Sequence, residues 1–259
     1  MTELQAYPSA PDPKLIKEGE VRSDENLEDS DLKQYEQEEH IGFIRKVLGI
    51  VTIQMGVTFL FCVISSLNDK AGAFFKHPLT LILSFILLIF CVCAIAASKK
   101  NRRTVPLNYF LLAGATVGET CFLAATAADL KIFSVFAAIA ATCLAVAALF
   151  VAALYSASSM DRETLLRNMV KAMIVTLILH LIMIVFIVFS FAVKDKALVI
   201  GISCGMLVIS GAYVMFALLF IIIPGITDKD DYILGALRLY LEIARLFYWI
   251  LKLLGKKKN

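Results

Sequence analysis

Residues 78–98 read PLTLILSFILLIFCVCAIAAS, twenty-one consecutive positions without a charged side chain. At 1.5 Å per residue, a helix of this length covers about 30 Å, the thickness of the hydrocarbon core of a bilayer. The basic stretch KKNRR follows at once, at residues 99–103. Charged residues make up only 18% of the chain and the mean hydropathy is +0.80, whereas an ordinary globular domain has about 25% charged residues. The stretch therefore predicts a helix that crosses a membrane.

Similar apolar runs lie on both sides of this stretch. Each is long enough to span a bilayer, and every run except the last holds at most two ionisable groups. The predicted spans are 47–67, 78–98, 105–128, 132–156, 170–193, 197–223 and 232–254. The predicted fold class is therefore all-α, a polytopic membrane helix bundle with seven transmembrane helices. This membrane domain covers residues 41–259, and its main partner is the lipid bilayer.

The seventh span is the most polar of the set, because four charged residues lie between 232 and 254. Loop charges favour a cytosolic N-terminus, since the loops on that side hold eight Lys and Arg residues against five on the other. Seven crossings would place the lysines of residues 256–258 on the far side, although lysines prefer the cytosol. Two interpretations stay open: a full crossing whose charges are tolerated by pairing, which we favour, or a re-entrant segment.

Residues 1–40 differ from the rest of the chain in charge. They carry twelve acidic and four basic residues, a net charge of −8. Segments with high net charge and few large apolar residues bury too little surface to fold. We therefore expect an acidic, mostly disordered cytosolic tail, with a short helix over 28–40 at most.

Two carboxylates at bilayer depth are the first candidates for function, because ionisable groups inside a membrane are costly. Glu119 lies near the middle of the third span, where it either bonds a neighbouring helix or lines a polar cavity or ion path. Glu242 lies in the last span, four residues after Arg238 and three before Arg245, so all three share one helical face. Either the three residues form a structural salt bridge, or their pairing holds a gate closed.

Other motifs point away from catalysis. Residues 201–205 read GISCG, which fits the G-x-S-x-G pattern, but that motif needs a strand–turn–helix context that an apolar helix does not supply. All six cysteines lie in apolar runs without C-x-x-C spacing, and His180 is expected to be a hydrogen-bonded packing residue. Asp228, Asp230 and Asp231 are expected to start a helix. We therefore expect no enzyme activity, catalytic residue, metal site, cofactor or nucleic-acid partner.

Four stretches resemble the Bax-inhibitor/Lifeguard (TMBIM-type) family of membrane proteins. FIRKVLGIVTIQMGVTF at 43–59 resembles its first helix, and VPLNYFLLAGATVGET at 105–120 resembles its third. ALYSASSMD at 153–161 resembles the loop after its fourth helix. The most specific match is DDYILGALRLYLEIARLFYWILKLLG at 230–255, which is similar to the closing helix of the family. The resemblance covers roughly residues 40–255.

The resemblance implies a seven-helix protein of endomembranes, in the endoplasmic reticulum or Golgi. It implies a Ca²⁺ leak channel or regulator of ion homeostasis and cell death. Better understood members use aspartates on the sixth and seventh helices as a pH-responsive gate. The seventh-helix position falls on Glu242, whereas the sixth-helix position falls near Ala217, and Arg238 and Arg245 stand where the family has two asparagines.

This departure predicts that pH gating is weakened or lost. Two carboxylates that share a proton can switch near neutral pH, whereas a single Glu242 flanked by two arginines is expected to stay ionised. The candidate ion-pathway residues are Glu119, Glu242, Arg238 and Arg245, with Arg45 at the entrance of the first helix. The alternative is a non-conducting membrane scaffold whose acidic tail binds membrane or apoptosis-regulating proteins.

Overall fold

The computed structural model describes residues 13–193 and 196–258, with side chains from Gln34 onward except at 191–196 and 229. Its described part is helical, without a strand, and a bridge joins Leu130 to Lys257. The helices are α1 Pro13–Leu67, α2 Asp69–Lys76, α3 Pro78–Ala97, α4 Lys99–Arg103, α5 Leu107–Ala127, α6 Ile132–Ser159, α7 Arg162–Val193, α8 Lys196–Ile222 and α9 Tyr232–Leu254, with a 3₁₀ turn at Lys229–Asp231. The predicted all-α class is confirmed.

Six of the described helices are long and apolar enough to cross a membrane: α1 from Gln34, α3, α5, α6, α7 and α8. Large apolar side chains such as Phe85 on α3 and Val185 on α7 are exposed on the protein. Exposed apolar surface of this extent is unfavourable in water and favourable in lipid. The chain is therefore a polytopic membrane protein.

The remaining long helix, α9, lies in the interior of the bundle. Twelve of its 23 residues are buried, and it packs against α3, α5, α6 and α8. Its length corresponds to about 35 Å, and it is one continuous helix rather than a re-entrant pair of half-helices. Because of its charged residues, α9 is not apolar enough to be recognised as a membrane span by composition. Its surroundings, however, are mostly protein.

The two ends of the bundle can be named by the short helices that they carry. At the α4 end, Lys46 of α1 lies 5.7 Å from the ring of Tyr232, where α9 begins. At the α2 end, the backbone N–H of Lys131 donates to the carbonyl of Lys256 at 2.8 Å, just after α9 ends. Helices α1, α5 and α9 therefore run parallel from the α4 end to the α2 end, and α9 is a further crossing.

The predicted disorder of the acidic tail differs from the structure. Helix α1 begins at Pro13, and proline is well tolerated in a first helical turn. Glu, Lys, Leu and Gln are frequent between residues 14 and 39 and are good helix formers. The net charge of this segment favoured a prediction of disorder, but a high net charge does not abolish the helix propensity of its residues. Residues 1–12 of the predicted tail lie outside the described residues.

The chain divides into two compact units, and the boundary along the sequence lies between Phe43 and Ile44. Within the described side chains of the first unit, the Gln34 amide donates to Glu38 at 3.4 Å. All contacts discussed below lie within the second unit.

Two connections that were expected to be loops contain helices. Asn68 caps α2, because its side chain accepts from the backbone N–H of Lys70 at 2.9 Å. His77 caps α3 in the same way, with Pro78 in the first turn. Asn and Pro are typical of helix starts. Short helices therefore separate the spans at 67–78 and again at 98–107, where α4 lies.

Glycine sets the close approach of α3 and α5. A Cβ atom on Gly118 would lie 2.7 Å from the carbonyl oxygen of Ser84 and 2.9 Å from Cβ of Leu88. A Cβ atom on Gly114, one turn earlier, would lie 2.7 Å from Sγ of Cys91. Small residues four apart let membrane helices approach closely. This contact places the middle of α5, including Glu119, directly against α3.

Candidate functional site in the helix bundle

The centre of the candidate site is an ion pair on α9. Nη1 of Arg245 donates to Oε2 of Glu242 at 2.9 Å, between residues three apart on the same helix. The Arg245 guanidinium also lies 5.5 Å from the ring centroid of Tyr213 on α8, a cation–π distance. The side chain of Glu242 is 21% exposed. The pair therefore neutralises an acid inside the bundle while anchoring α9 to α8.

Arg238 does not complete the expected triad. Its side chain is exposed, and it forms no ion pair with any residue that the structure describes. Arg238 lies six residues after the start of α9, about 9 Å along the axis. A long basic side chain at that depth reaches toward the interface rather than staying in the bundle. The predicted three-residue salt bridge is therefore a two-residue pair.

Glu119 opens onto a cavity of about 440 Å³ between α3, α5 and α9. Arg245 lines the same cavity. Glu119 has no ion pair within 4.0 Å among the described residues. Glu119 thus lines a cavity, as one of its two alternatives requires, but the residues around it are mostly apolar rather than polar. The walls include Leu88, Val92, Gly118 and Leu241.

His180 extends the polar cluster toward α7. Its ring lies 5.7 Å from the ring of Tyr213, in an edge-to-face arrangement. Its Nδ1 is buried without a hydrogen-bond partner in the described part of the protein. His180, Tyr213 and Arg245 thus stand in a row across α7, α8 and α9. The ring packing agrees with the expected packing role, but the expected hydrogen bond is missing at Nδ1.

Ala217 is buried on α8, one turn after Tyr213. Helix α8 contains no acidic residue along its whole length. Any carboxylate pair of the kind that the resemblance implies would therefore have to use Glu119 on α5 rather than a residue of α8. Arg45 lies apart from the cluster, because its side chain is exposed and makes no ion pair with a described residue.

A buried seam of hydroxyls between α1, α5 and α9 was missed by the sequence analysis. The hydroxyl of Tyr240 lies 2.9 Å from that of Thr58, which in turn lies 2.9 Å from that of Thr120. The Gln54 amide donates to Thr116 at 2.7 Å. The sequence signal was present, because the polar residues recur four apart on both helices. These bonds join α1, α5 and α9 in the interior, although Oε1 of Gln54 is buried without a hydrogen-bond partner among the described residues.

A second cluster, the Asp231 cluster, was also missed. It lies at the α4 end of the bundle, between α4 and the start of α9. Oδ1 of Asp231 accepts from Nε of Arg102 at 3.1 Å and from Nε of Arg103 at 2.9 Å. Arg103 also reaches Asp228 at 3.0 Å and Asp230 at 3.7 Å. The hydrogen bond to Asp231 raises the pKa of Arg103 above its ordinary value.

The acidic triplet therefore does more than start a helix. Asp231 occupies the N-cap position of α9, but its side chain makes no capping hydrogen bond. Its carboxylate is turned to α4 instead, which ties the connection between α3 and α5 to the start of α9. Arg102 and Asp231 are 129 positions apart, so no local sequence pattern could have joined them.

The C-terminal lysines lie at the opposite, α2 end. The backbone N–H of Lys258 donates to the carbonyl of Asp129 at 2.8 Å, and its Nζ pairs with Asp69 at 3.2 Å. Lys76 pairs with Asp129 at 2.7 Å. Pairing offsets the positive charge at this end. The lysine tail is therefore compatible with a full seventh crossing.

No group of three His, Cys, Asp or Glu residues that could hold a metal ion occurs in the described part of the chain. The candidate site is instead a set of ionisable and aromatic groups at bilayer depth, carried by an interior helix. Together with the crossings, it defines a polytopic α-helical membrane protein with a charged central helix.

Comparison with known proteins gives the family. The model of the family described as inhibitor of apoptosis-promoting Bax1 (Bax1-I) matches residues 40–259. The chain belongs to this family, and the resemblance found in the sequence is confirmed. No curated protein matches the chain.

Proposed function

We propose that the protein is a cation leak protein of endomembranes, in the endoplasmic reticulum or Golgi, that conducts Ca²⁺ and thereby influences ion homeostasis and cell death. The observation that carries the proposal is the placement of Glu119 beside a membrane-depth cavity that Arg245 of the Glu242 pair also lines. Carboxylates at this depth are costly and by default indicate a functional site such as an ion path. The proposal includes a cytosolic N-terminus, and neither catalysis nor a cofactor.

The described geometry fits a closed state. Two unit charges 4 Å apart interact with about 4 kcal/mol at an effective dielectric constant of 20. A cation that approached Glu242 would meet the Arg245 guanidinium, which lies 2.9 Å from that carboxylate. Conduction therefore requires Arg245 to move away. Tyr213 holds the guanidinium in place, so α8 and α9 would have to shift relative to each other.

The pH response of such a leak should be weak. Sharing of a proton requires two carboxylates in contact, and α8 offers none. Glu242 is bonded to Arg245, a residue that keeps its charge throughout the physiological range. Acid should therefore open the protein less than it opens a member with both aspartates.

The experiment is Ca²⁺ flux from liposomes at several pH values between 6 and 8. Arg245→Gln should raise Ca²⁺ flux, because it removes the guanidinium that pairs with Glu242 and repels an approaching cation. Glu242→Gln should lower the flux. Arg238→Gln is the matched control, since it removes an arginine of the same helix that makes no described ion pair. Strong acid–neutral switching that persists in Glu242→Gln would refute the proposed gate.

One observation favours the alternative of a non-conducting scaffold. Ala217 stands near the position where the resemblance implies a carboxylate, and Glu242 is already paired with Arg245. In that case the acidic segment at residues 1–40 would bind membrane or apoptosis-regulating proteins. Purified protein that gives no flux at any pH, but whose residues 1–40 are needed to capture such a partner, would favour the scaffold over the leak.

A further inference from the structure

The 440 Å³ cavity beside Glu119 opens onto the apolar outer surface of the bundle, the surface that lipid covers in a membrane. Its outer wall includes Phe85 and Ile89 of α3 and Phe122 of α5, three side chains that are exposed on the protein surface. A volume of this size lies within the range of small-molecule sites, about 300–1,000 Å³. A molecule dissolved in the bilayer could therefore enter sideways between α3 and α5.

The charges in the cavity select the kind of molecule. Glu119 and Arg245 are the two charged residues of the lining. Arg245 is committed to Glu242 at 2.9 Å, whereas Glu119 has no ion pair among the residues described. The uncommitted group is thus an acid, and it is complemented by a donor that carries positive charge. A carboxylate ligand would be repelled by Glu119.

We propose that this cavity binds a single-chain lipophilic primary amine from the bilayer, with its amino group hydrogen-bonded to Glu119 and its chain along Phe85 and Phe122. Because lipid is as apolar as the cavity walls, the chain contributes little selectivity. The headgroup therefore decides the preference. This site does not depend on ion conduction.

Trp249 gives a direct readout of occupancy. It is the one tryptophan of the chain, and its ring lies 5.0 Å from that of Tyr248, which lines the cavity. The protein in nanodiscs of neutral phospholipid is titrated with brominated dodecylamine, dodecanol and dodecanoate. We expect saturable quenching by the amine, at least about tenfold tighter than by the other two, since a hydrogen bond to a charged group accounts for that ratio.

Three variants test the assignment. Glu119→Gln should weaken amine binding about tenfold, to the level of the alcohol. Val92→Phe should abolish saturable quenching by filling the cavity without changing its charge, which keeps the test decisive if Glu119→Gln does not fold. Glu163→Gln removes an exposed acid at the start of α7, outside the lining, and should bind like the wild type.

Three results would overturn the proposal: equal affinity for the three headgroups, unchanged amine binding in Glu119→Gln or Val92→Phe, or quenching by the amine that never saturates in the wild type. Ca²⁺ flux is measured on the same preparations. Saturable amine binding without flux would refute the leak and leave this site standing, whereas flux without saturable binding would do the reverse.

Discussion

Replacing Asp231 by Ala should destabilise the protein far more than replacing its neighbour Asp230. The Asp231 side chain is 7% exposed and that of its partner Arg102 is 10% exposed, with 3.1 Å between Oδ1 and Nε. At an effective dielectric constant of 20, this separation corresponds to an attraction of about 5 kcal/mol. Removing one partner of a buried pair leaves the other charge uncompensated, which costs about 3–5 kcal/mol.

Asp230 supplies the matched control within the same cluster. Its side chain is 80% exposed and lies 3.7 Å from Arg103, so its loss should cost at most about 1 kcal/mol. Helix capping does not confound the comparison, because the Asp231 side chain makes no capping bond. For a chain of this size, about 2–4 °C of melting temperature corresponds to each kcal/mol. Asp231→Ala should therefore lower Tm by about 6–20 °C, and Asp230→Ala by about 4 °C at most.

The assay is thermal unfolding in nanodiscs, followed by circular dichroism. A double-mutant cycle sharpens it: Arg102→Ala combined with Asp231→Ala should be less destabilised than the sum of the two single changes, because the unpaired buried charge is then absent. Equal Tm losses for Asp230→Ala and Asp231→Ala, or strictly additive single effects in the cycle, would refute the reasoning.

Three further predictions follow from the packing. Gly118→Ala should cost about 1–3 kcal/mol, because the new methyl group overlaps the α3 backbone, whereas Gly56→Ala, with nothing within 4 Å, should be neutral or stabilising in the same thermal assay. Tyr240→Phe should cost about 0.6–1.7 kcal/mol through loss of its hydroxyl bond to α1. Lys257→Cys and Lys100→Cys, each in a cysteine-free background, should react with an impermeant maleimide from opposite faces of sealed vesicles, since α9 joins the two ends of the bundle.

Each of these has a contrary outcome. Equal Tm values for the two glycine variants would mean that α3 and α5 are not in close backbone contact. Tyr248→Phe, which removes a hydroxyl without a described hydrogen bond, is the control for Tyr240→Phe, and equal losses would argue against the seam. Labelling of both cysteines from one face would show that α9 does not complete its crossing.

The crossings were predictable because their physical cause is local. The length of a run such as 78–98 and its lack of charge are enough to indicate a helix in lipid, and the helices form where these runs lie. Helix propensity is local as well, but it was outweighed by charge in the interpretation of residues 13–40. The acidic composition there obscured a sequence rich in good helix formers.

The candidate site was only half predictable. Glu119, Glu242 and Arg245 stood out because charge in an apolar run is locally visible. Their partners were not visible, because Tyr213 and His180 come from other helices and are brought to Arg245 only by packing. Arg238 lies four residues before Glu242, a spacing that fitted a three-residue salt bridge equally well. What distinguishes Arg238 is its position nearer the start of α9.

The position of α9 explains how the most polar crossing can also be the most enclosed. A helix that faces lipid must be mostly apolar within the bilayer, as α7 is, whereas a helix ringed by other helices meets partners for its polar groups. Tyr240 bonds to α1, and Arg245 lies against Tyr213 of α8. Each such partner lowers the cost of a polar group at that depth. The polar groups of α9 are therefore tolerated because α1, α3, α5, α6 and α8 pack around it and bury twelve of its 23 residues. Any movement that opens a path for an ion must begin by exchanging one of these partners for another.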